Sequence, residues 1–466
     1  MDLRIIGGRV VTASGVRAAD IAITAGKITA VAAPGTLPAA TQTIDASAML
    51  VLPGAIDTHF HCRTPGYDAR GDFYSETRAA AAGGVTTVFE MPISNPGCAT
   101  PAIFANRRRL IEEQAVIDVA LYGAPGTLIA ADVRGMAAAG AIAFKIFMHR
   151  APLGRDDEFI GICLTSDEQI YQALALTKQT GRRLVVHCES DDMLEAGIAR
   201  LRGQGRTDPA AHPESRPPIV EAVAVARLLT LAEALRAPVH VAHVSCALAL
   251  DVVRRFRRAG VDVTAETCPH YLFFDDQDFL RLGAWAKINP PIRSTEDCAA
   301  LWEGLADGTL DLVTTDHSTY LPEEKERGAH DIWRAPSGAP GVQTLLPLMI
   351  SAALRGQLEL TDAVRLISSA PARVFGLTGR KGDLAPGYDA DVCIYDPRDP
   401  WVFTRERMVS QAADVDQLYR DMTFQGRVVT TIARGRVVFA NNQVQAARGD
   451  GAFLAASAIH RANEDS

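Results

Sequence analysis

His59 and His61 form an H-x-H pair just past the apolar run 48–57. Such a run reads as a buried strand, and residues i and i+2 of a strand point to the same face. Two imidazoles placed in this way can grip one metal ion from one side, and imidazole nitrogen suits zinc and its first-row neighbours. An isolated H-x-H pair is often coincidence, so the weight comes from the other polar residues. His187 follows Leu184-Val185-Val186, His243 follows Val239-His240-Val241-Ala242, and Asp316 follows Leu312-Val313-Thr314-Thr315. Each is a metal-ligating type at the C-terminal end of a β-branched, apolar run. Lys145 lies inside another such run, 143–148. An ammonium in an apolar strand is costly unless paired. It either snorkels to water, meets a carboxylate or, beside two divalent cations, loses its charge or becomes an anion. Carboxylation by CO2 makes a carbamate whose two oxygens can bridge two metals; the residues alone leave that choice open.

The runs alternate with stretches of helical spacing, which suggests βαβ units and a parallel sheet. In a closed barrel of such units, reactive residues collect at the C-terminal ends of several strands. The expected fold class is therefore α/β, a (β/α)8 TIM barrel over 53–375. Helices are predicted over 72–82, 165–180, 218–235, 341–355 and 361–374, and a strand over 85–89. The stretch 320–340 is polar, aperiodic and long, which marks it as functional and as a lid candidate. Residues 1–52 read as a β-meander, interrupted at Gly7-Gly8. That texture returns in 376–466, with a strand at 391–395 and a hairpin around Arg434-Gly435. Neither segment is long enough to fold well alone. The two are expected to pair into one small β-sandwich, with the barrel inserted between them. The residues after Arg448 read as a frayed tail.

The bulk composition narrows the classes. With 466 residues, 48 % hydrophobic and 22 % charged, the chain can build one large domain and a smaller one. A net charge of −8, spread along the chain, leaves no footprint for nucleic acid. The basic clusters at 107–109 and 254–258 read as solvated helix faces. No apolar run reaches the roughly 18 residues that span a membrane, and the start Met1-Asp2-Leu3-Arg4 lacks a secretory signal. Eight cysteines without a C-x-x-C pair fit free, buried thiols in a reducing cytoplasm, the compartment expected here.

The chain resembles the cyclic amidohydrolases, the dihydroorotase, allantoinase and hydantoinase group of the amidohydrolase superfamily. The stretches that carry the resemblance run in order along nearly the whole chain. They include Gly54-Ala55-Ile56-Asp57-Thr58-His59-Phe60-His61, Phe144-Lys145-Ile146-Phe147, Val186-His187-Cys188-Glu189, His243-Val244-Ser245, Glu266-Thr267-Cys268-Pro269-His270, Asn289-Pro290-Pro291 and Thr315-Asp316-His317. The resemblance implies the barrel with its sandwich and two divalent metal ions, usually Zn2+. It implies that His59, His61 and Asp316 hold the first metal and that His187 and His243 hold the second. The CO2-derived carbamate of Lys145 would bridge them. It further implies hydrolysis of a cyclic amide of hydantoin, ureide, dihydropyrimidine or imide type. The nucleophile would be a metal-bridging hydroxide, and Asp316 would take its proton and pass it to the leaving nitrogen.

Substrate contacts are read from the same resemblance. Arg63, in His61-Cys62-Arg63-Thr64-Pro65-Gly66, resembles the dihydroorotase form, where that arginine binds the substrate carboxylate. Asn289 resembles the same form and would contact the ring. Ile93 and Tyr320 depart from it, since dihydroorotases carry an asparagine and a histidine there that also hold the carboxylate. Hydantoinases carry a tyrosine where this chain has Arg150, and allantoinases usually lack the arginine at position 63. The chain is a mosaic. Arg63 with Arg150 suggests an anionic or strongly polar substituent, and Tyr320 either donates to substrate or packs under the lid. His270 and His317 are read as packing residues, and His149, His212, His330 and His460 carry no signal. Two other functions stay open. One is hydrolysis of exocyclic N-acyl or N-carbamoyl amides, told apart by its product. The other is a non-catalytic dihydroorotase-like scaffold, disfavoured because all six ligand positions are intact. Sandwich edges and the segment 400–425 are expected to form a dimer or tetramer contact.

Overall fold

The apolar run 48–57 forms two strands, not one: Leu50–Pro53 and Ala55–His61, divided at Gly54. The division is steric. A Cβ on Gly54 would lie 2.2 Å from the Thr86 hydroxyl oxygen, so only glycine lets the chain pass. Leu50–Pro53 pairs antiparallel with Val392–Val402, while Ala55–His61 runs parallel to Val85–Glu90. His59 and His61 therefore lie inside the second strand rather than beyond it. Their spacing keeps them on one face.

The computed structural model describes residues 1–152 and 154–456, an α/β fold with its parallel strands in two arcs. One arc holds, side by side, Asp118–Leu121, Val85–Glu90, Ala55–His61 and His317–Ser318. The other holds Phe144–Phe147, Leu184–His187, Val239–Val241, Val263–Thr267 and Leu312–Val313. Gly123 makes a parallel bridge to Phe144 between the arcs, and the short segment 312–318 contributes an edge strand to each. These strands are buried along their length, as β-branched runs covered on both faces must be.

Helices fill the intervals. Phe73–Ala82 is capped by the Asp72 carboxylate and ends at Gly83, Asp167–Gln179 is capped by the Ser166 hydroxyl, and Pro218–Leu235 starts on its proline. The predicted helix 361–374 is interrupted by a π turn, Arg365–Ser369. Pro371 has no N–H to offer the Ile367 carbonyl, so the regular ladder stops there. The stretch 320–340 carries two short turns, Pro322–Glu326 and Ile332–Arg334. It is fastened by the buried Lys325 ammonium, which donates to the carbonyls of Ala284, Lys287 and Pro336.

The two ends of the chain form two further sheets. Leu3–Ile6, Asp20–Thr24, Lys27–Ala32 and Gln42–Asp45 make one; Arg9–Thr12, Gly15–Ala18 and Leu50–Pro53 join the C-terminal strands in the other. The meander is thus split at Gly7-Gly8, and Leu3–Ile6 runs parallel to Gln42–Asp45. Both sheets share one apolar cluster, with Ile5, Ile21, Val10, Val51, Val392 and Ile432. The hairpin turns at Arg434-Gly435, pairing Ala433 with Arg436.

Two further expectations are corrected. Arg107 is not on a solvated face: it is fully buried, ion-paired with Glu90 and donating to the carbonyls of Thr64 and Met91. Only Arg108 and Arg109 make exposed pairs along the helix, with Glu112 and Glu113. The chain just after Arg448 is not frayed, since the Gly451 N–H donates to the Ala115 carbonyl, Phe453 bridges Val119 and Leu454 is buried. The rest of that expectation, 457–466 with His460, lies outside the described residues. The cysteines are free, and six of the eight are buried. Among the described residues no helix is long and apolar enough to cross a membrane.

Candidate active site

The C-terminal ends of the parallel strands open into a cavity of about 680 Å³, lined by His59, His61, His187, His243 and Asp316 among others. The backbone presents the last two by leaving regular strand geometry. His243 has φ 36° and Asp316 φ 49°, the left-handed region that costs a non-glycine residue energy and recurs at functional sites. The turn before Asp316 is pinned from below: the buried Asp57 carboxylate accepts from the hydroxyls of Thr314 and Thr315 and from the Thr315 N–H.

One cluster is His59, His61 and Asp316, whose ligand-type atoms all lie within 4.8 Å of one another. Nε2 of both histidines is 3.2 Å from Asp316 Oδ1. Glu266 orients His59, taking its Nδ1 at 2.5 Å, and also accepts from the Thr58 hydroxyl and pairs with His240, both at 3.1 Å. A carboxylate on Nδ1–H leaves the Nε2 lone pair aimed at the cavity. Burial alone would raise the Glu266 carboxyl, but His59 and His240 outweigh it and hold it well below the usual range. Asp316 is held low in the same way, by His59 and His61 against its burial.

The second cluster is His187 with His243, His187 Nδ1 lying 3.0 Å from His243 Nε2. His187 Nε2 faces Glu189 at 2.8 Å, and Arg216 holds that carboxylate at 3.1 Å. Burial pushes His61 and His187 each down to about 3, and His243 far below its ordinary value. At neutral pH these imidazoles are therefore uncharged, the form that binds metal. Lys145, on Phe144–Phe147, is fully buried, and burial lowers it to about 8.

The donor set fits a divalent metal. His59 Nε2, His61 Nδ1, His243 Nδ1 and Lys145 Nζ are all buried without a hydrogen-bond partner. Buried polar atoms are rarely left so unless a ligand completes them, and imidazole with carboxylate is a zinc-type set.

The expected substrate contacts divide. Arg63 lines the cavity, but its guanidinium is already engaged, by Glu158 at 3.1 Å, the Ser318 hydroxyl at 2.9 Å and the Tyr320 hydroxyl at 2.8 Å. Tyr320 is buried, and its own O–H donates to the Ser337 carbonyl. Arg150 stands at the mouth with 58 % of its side chain exposed, tied to Asp191 at 2.7 Å. Asn289 lines the cavity with its Oδ1 unpartnered. Ile93 adds a buried apolar surface. His317 takes no part: its Nδ1 accepts from the N–H groups of Gly341 and Val342, and its Nε2 faces Glu76.

Two histidines dismissed from sequence do line the cavity, His149 and His212. His149 Nδ1 faces the Arg150 carbonyl at 2.6 Å, and with His187 and Glu189 it makes a second group of ligand-type atoms within 4.8 Å. The signal was available, since His149 follows the strand of Lys145 just as Asp316 follows its own. Glu189 and Glu266 stand at strand ends in the same way; Arg216 and Glu158 had no such local mark.

Residues 50–438 match the pattern of the Amidohydrolase family. A D-hydantoinase of Ralstonia pickettii is 33 % identical over 463 residues, covering 97 % of this chain and 98 % of that one. An allantoinase of Rubrobacter xylanophilus is 36 % identical over 447 residues, 95 % of either chain. Among solved structures, the L-hydantoinase (dihydropyrimidinase) from Arthrobacter aurescens superposes with a TM-score of 0.91 at 32 % identity, over 97 % of this chain and 99 % of that one. With the family pattern across most of its length and relatives aligned end to end, the chain belongs to the amidohydrolase family.

Proposed function

We propose that this protein hydrolyses a ring C–N bond of a cyclic amide of hydantoin, ureide, dihydropyrimidine or imide type. The observation that carries the reading is the convergence of His59, His61, His187, His243 and Asp316 on one cavity, together with a buried Lys145 amine that has no hydrogen-bond partner. The hydantoinase and allantoinase relatives support it over the whole chain. His59, His61 and Asp316 would hold one divalent ion, Zn2+ by the donor chemistry, and His187 with His243 a second. Lys145, lowered to about 8, has an uncharged fraction near neutral pH. Addition of that amine to CO2 with loss of a proton would give a carbamate anion, an oxygen donor suited to divalent metal. When bound, such ions supply Lewis acidity and make water more acidic.

Asp316 stays ionised at neutral pH, so it can accept the proton of the attacking water and return it to the leaving ring nitrogen. Asn289 Oδ1 faces no protein donor and is suited to accept a ring N–H. We take the two arcs of parallel strands as one (β/α)8 barrel over 53–375. The terminal sheets, from 1–52 and 376–466, would form a β-sandwich beside it, and the working form would be a homo-oligomer.

The test is ring opening by the metal-replete protein on hydantoins, allantoin, dihydrouracil, dihydroorotate and succinimide, with Lys145→Ala as control. Turnover of at least one ring, lost in the control, is expected. Two bound metals per chain with no ring opened would move the reading to exocyclic amides. No bound metal and no turnover would move it to a scaffold.

A further inference from the structure

Glu158 is a carboxylate of the protein placed where a substrate carboxylate would be sought. It lies on the short turn Asp156–Phe159 in the wall of the cavity and is only 1 % exposed. Arg155 grips it with Nη2 at 2.5 Å and Nε at 2.9 Å, Arg63 reaches it at 3.1 Å and Arg70 at 3.5 Å. The turn itself is held. Phe159 packs in an apolar cluster with Ile93 and Phe147, and Asp157 accepts from Tyr67 and Asn95. Glu158 is thus a built-in partner, not a side chain resting on the wall.

The consequence is for Arg63. Bidentate recognition of a carboxylate uses two parallel N–H groups on one edge of a guanidinium. Arg63 Nη1 gives one N–H to Glu158 and Nη2 gives both of its own to Ser318 and Tyr320; the Nε–H and one Nη1–H remain, but each paired edge of the guanidinium includes Nη2, so neither edge is free. Arg70 is occupied in turn by Glu324, through three contacts between 2.7 and 3.1 Å. A second carboxylate brought to Arg63 would have to compete with Glu158 for it, on a wall where Arg63, Arg70 and Arg155 are already divided between Glu158 and Glu324.

We propose that Glu158 determines substrate class by occupying Arg63, so that the site takes rings with uncharged substituents and rejects those with a carboxylate. This rests on the cyclic-amide reading above. The mosaic at positions 63, 93 and 320 then has one physical cause: the arginine is retained as a structural partner of Glu158 and Tyr320, and no further carboxylate-binding groups are needed around it.

Two ligands of one shape separate charge from size: a hydantoin with a carboxymethyl group on its ring carbon and its carbamoylmethyl counterpart. The wild-type protein is expected to open the carbamoylmethyl ring with the higher kcat/KM. Glu158→Gln is expected to shift the ratio at least tenfold toward the carboxymethyl ring, and Glu158→Ala to shift it in the same direction. Adding Arg63→Met to Glu158→Gln is expected to remove the gain. Calorimetric affinity of the metal-replete proteins for the carboxymethyl ring is expected to follow the same order, whichever ring is turned over. A wild type that prefers the charged ring, or Glu158 variants with unchanged ratio and unchanged affinity, overturns the proposal. A wild type that opens no ring defeats the cyclic-amide reading instead, and the affinity series then decides the role of Glu158.

Discussion

Lys145 and Lys381 are both fully buried, and they are opposites. Lys381 Nζ is 2.6 Å from Asp118, 2.6 Å from Asp391 and 3.1 Å from Asp389. Those carboxylates more than repay its burial and push its ammonium above the ordinary value. Asp118 also pairs with Arg434, and Asp391 accepts the Arg434 N–H. The cluster thus ties the N-terminal end of the parallel strand Asp118–Leu121 to the C-terminal sheet. Lys145 has no hydrogen-bond partner, sits among imidazoles at the other end of the strands and is lowered to about 8. A saturated buried charge holds the fold together. An unsatisfied one makes chemistry available, and it persists only because the strands around it are stable without its help.

Breaking the two lysines should separate these roles. The largest effect is expected from Lys145→Ala, a loss of about 10³-fold or more in kcat/KM with the fold retained, read by steady-state ring opening beside circular dichroism. Lys381→Met should do the reverse. Buried Asp391 would lose its ion-pair partner, while Asp118 would keep Arg434 and Asp389 would keep Lys27 and Arg380. The expected cost is about 3–5 kcal/mol in denaturant unfolding, with turnover per folded molecule unchanged. Lost activity with normal stability in that variant would erase the contrast.

A finer test uses pH. The folded-state value of Lys145 lies below its unfolded value of 10.5, so between about 8 and 10.5 the unfolded chain binds the extra proton. Stability of the metal-free protein should therefore rise with pH across that window, and the cost of the buried amine below it is about 3 kcal/mol. Lys145→Met should recover that amount at pH 7 and flatten the profile, as followed by urea unfolding in buffers from pH 7 to 11. A metal-free Lys145→Met protein no more stable than wild type would mean that Lys145 is paired after all. The smallest effect belongs to Glu266→Gln. It keeps the shape but weakens the hold on His59, and about 10–100-fold in zinc affinity should be lost in a chelator competition.

The reading of sequence succeeded where cause and effect are close in the chain. Helix spans such as Asp167–Gln179, capped by Ser166, follow from local caps and spacing. The ligand-type residues at 59, 61, 187, 243 and 316 were found because each sits near the end of an apolar strand, and parallel strands must bring such ends together. His149 obeys the same rule, two residues past the strand Phe144–Phe147. The break at Gly54 was invisible, since it depends on the approach of Thr86 from another strand.

What the sequence determined by itself was the kind of fold and the inventory of reactive side chains, because periodicity and strand-end position are local properties. The tertiary structure decided which charges meet. His59 finds Glu266 across 207 residues, and Arg63 finds Glu158 across 95. Those pairings turn one arginine from a candidate substrate anchor into a satisfied partner, and they leave one lysine without a hydrogen-bond partner. Electrostatic interactions act through space and burial rather than along the chain, so only the folded molecule could settle them.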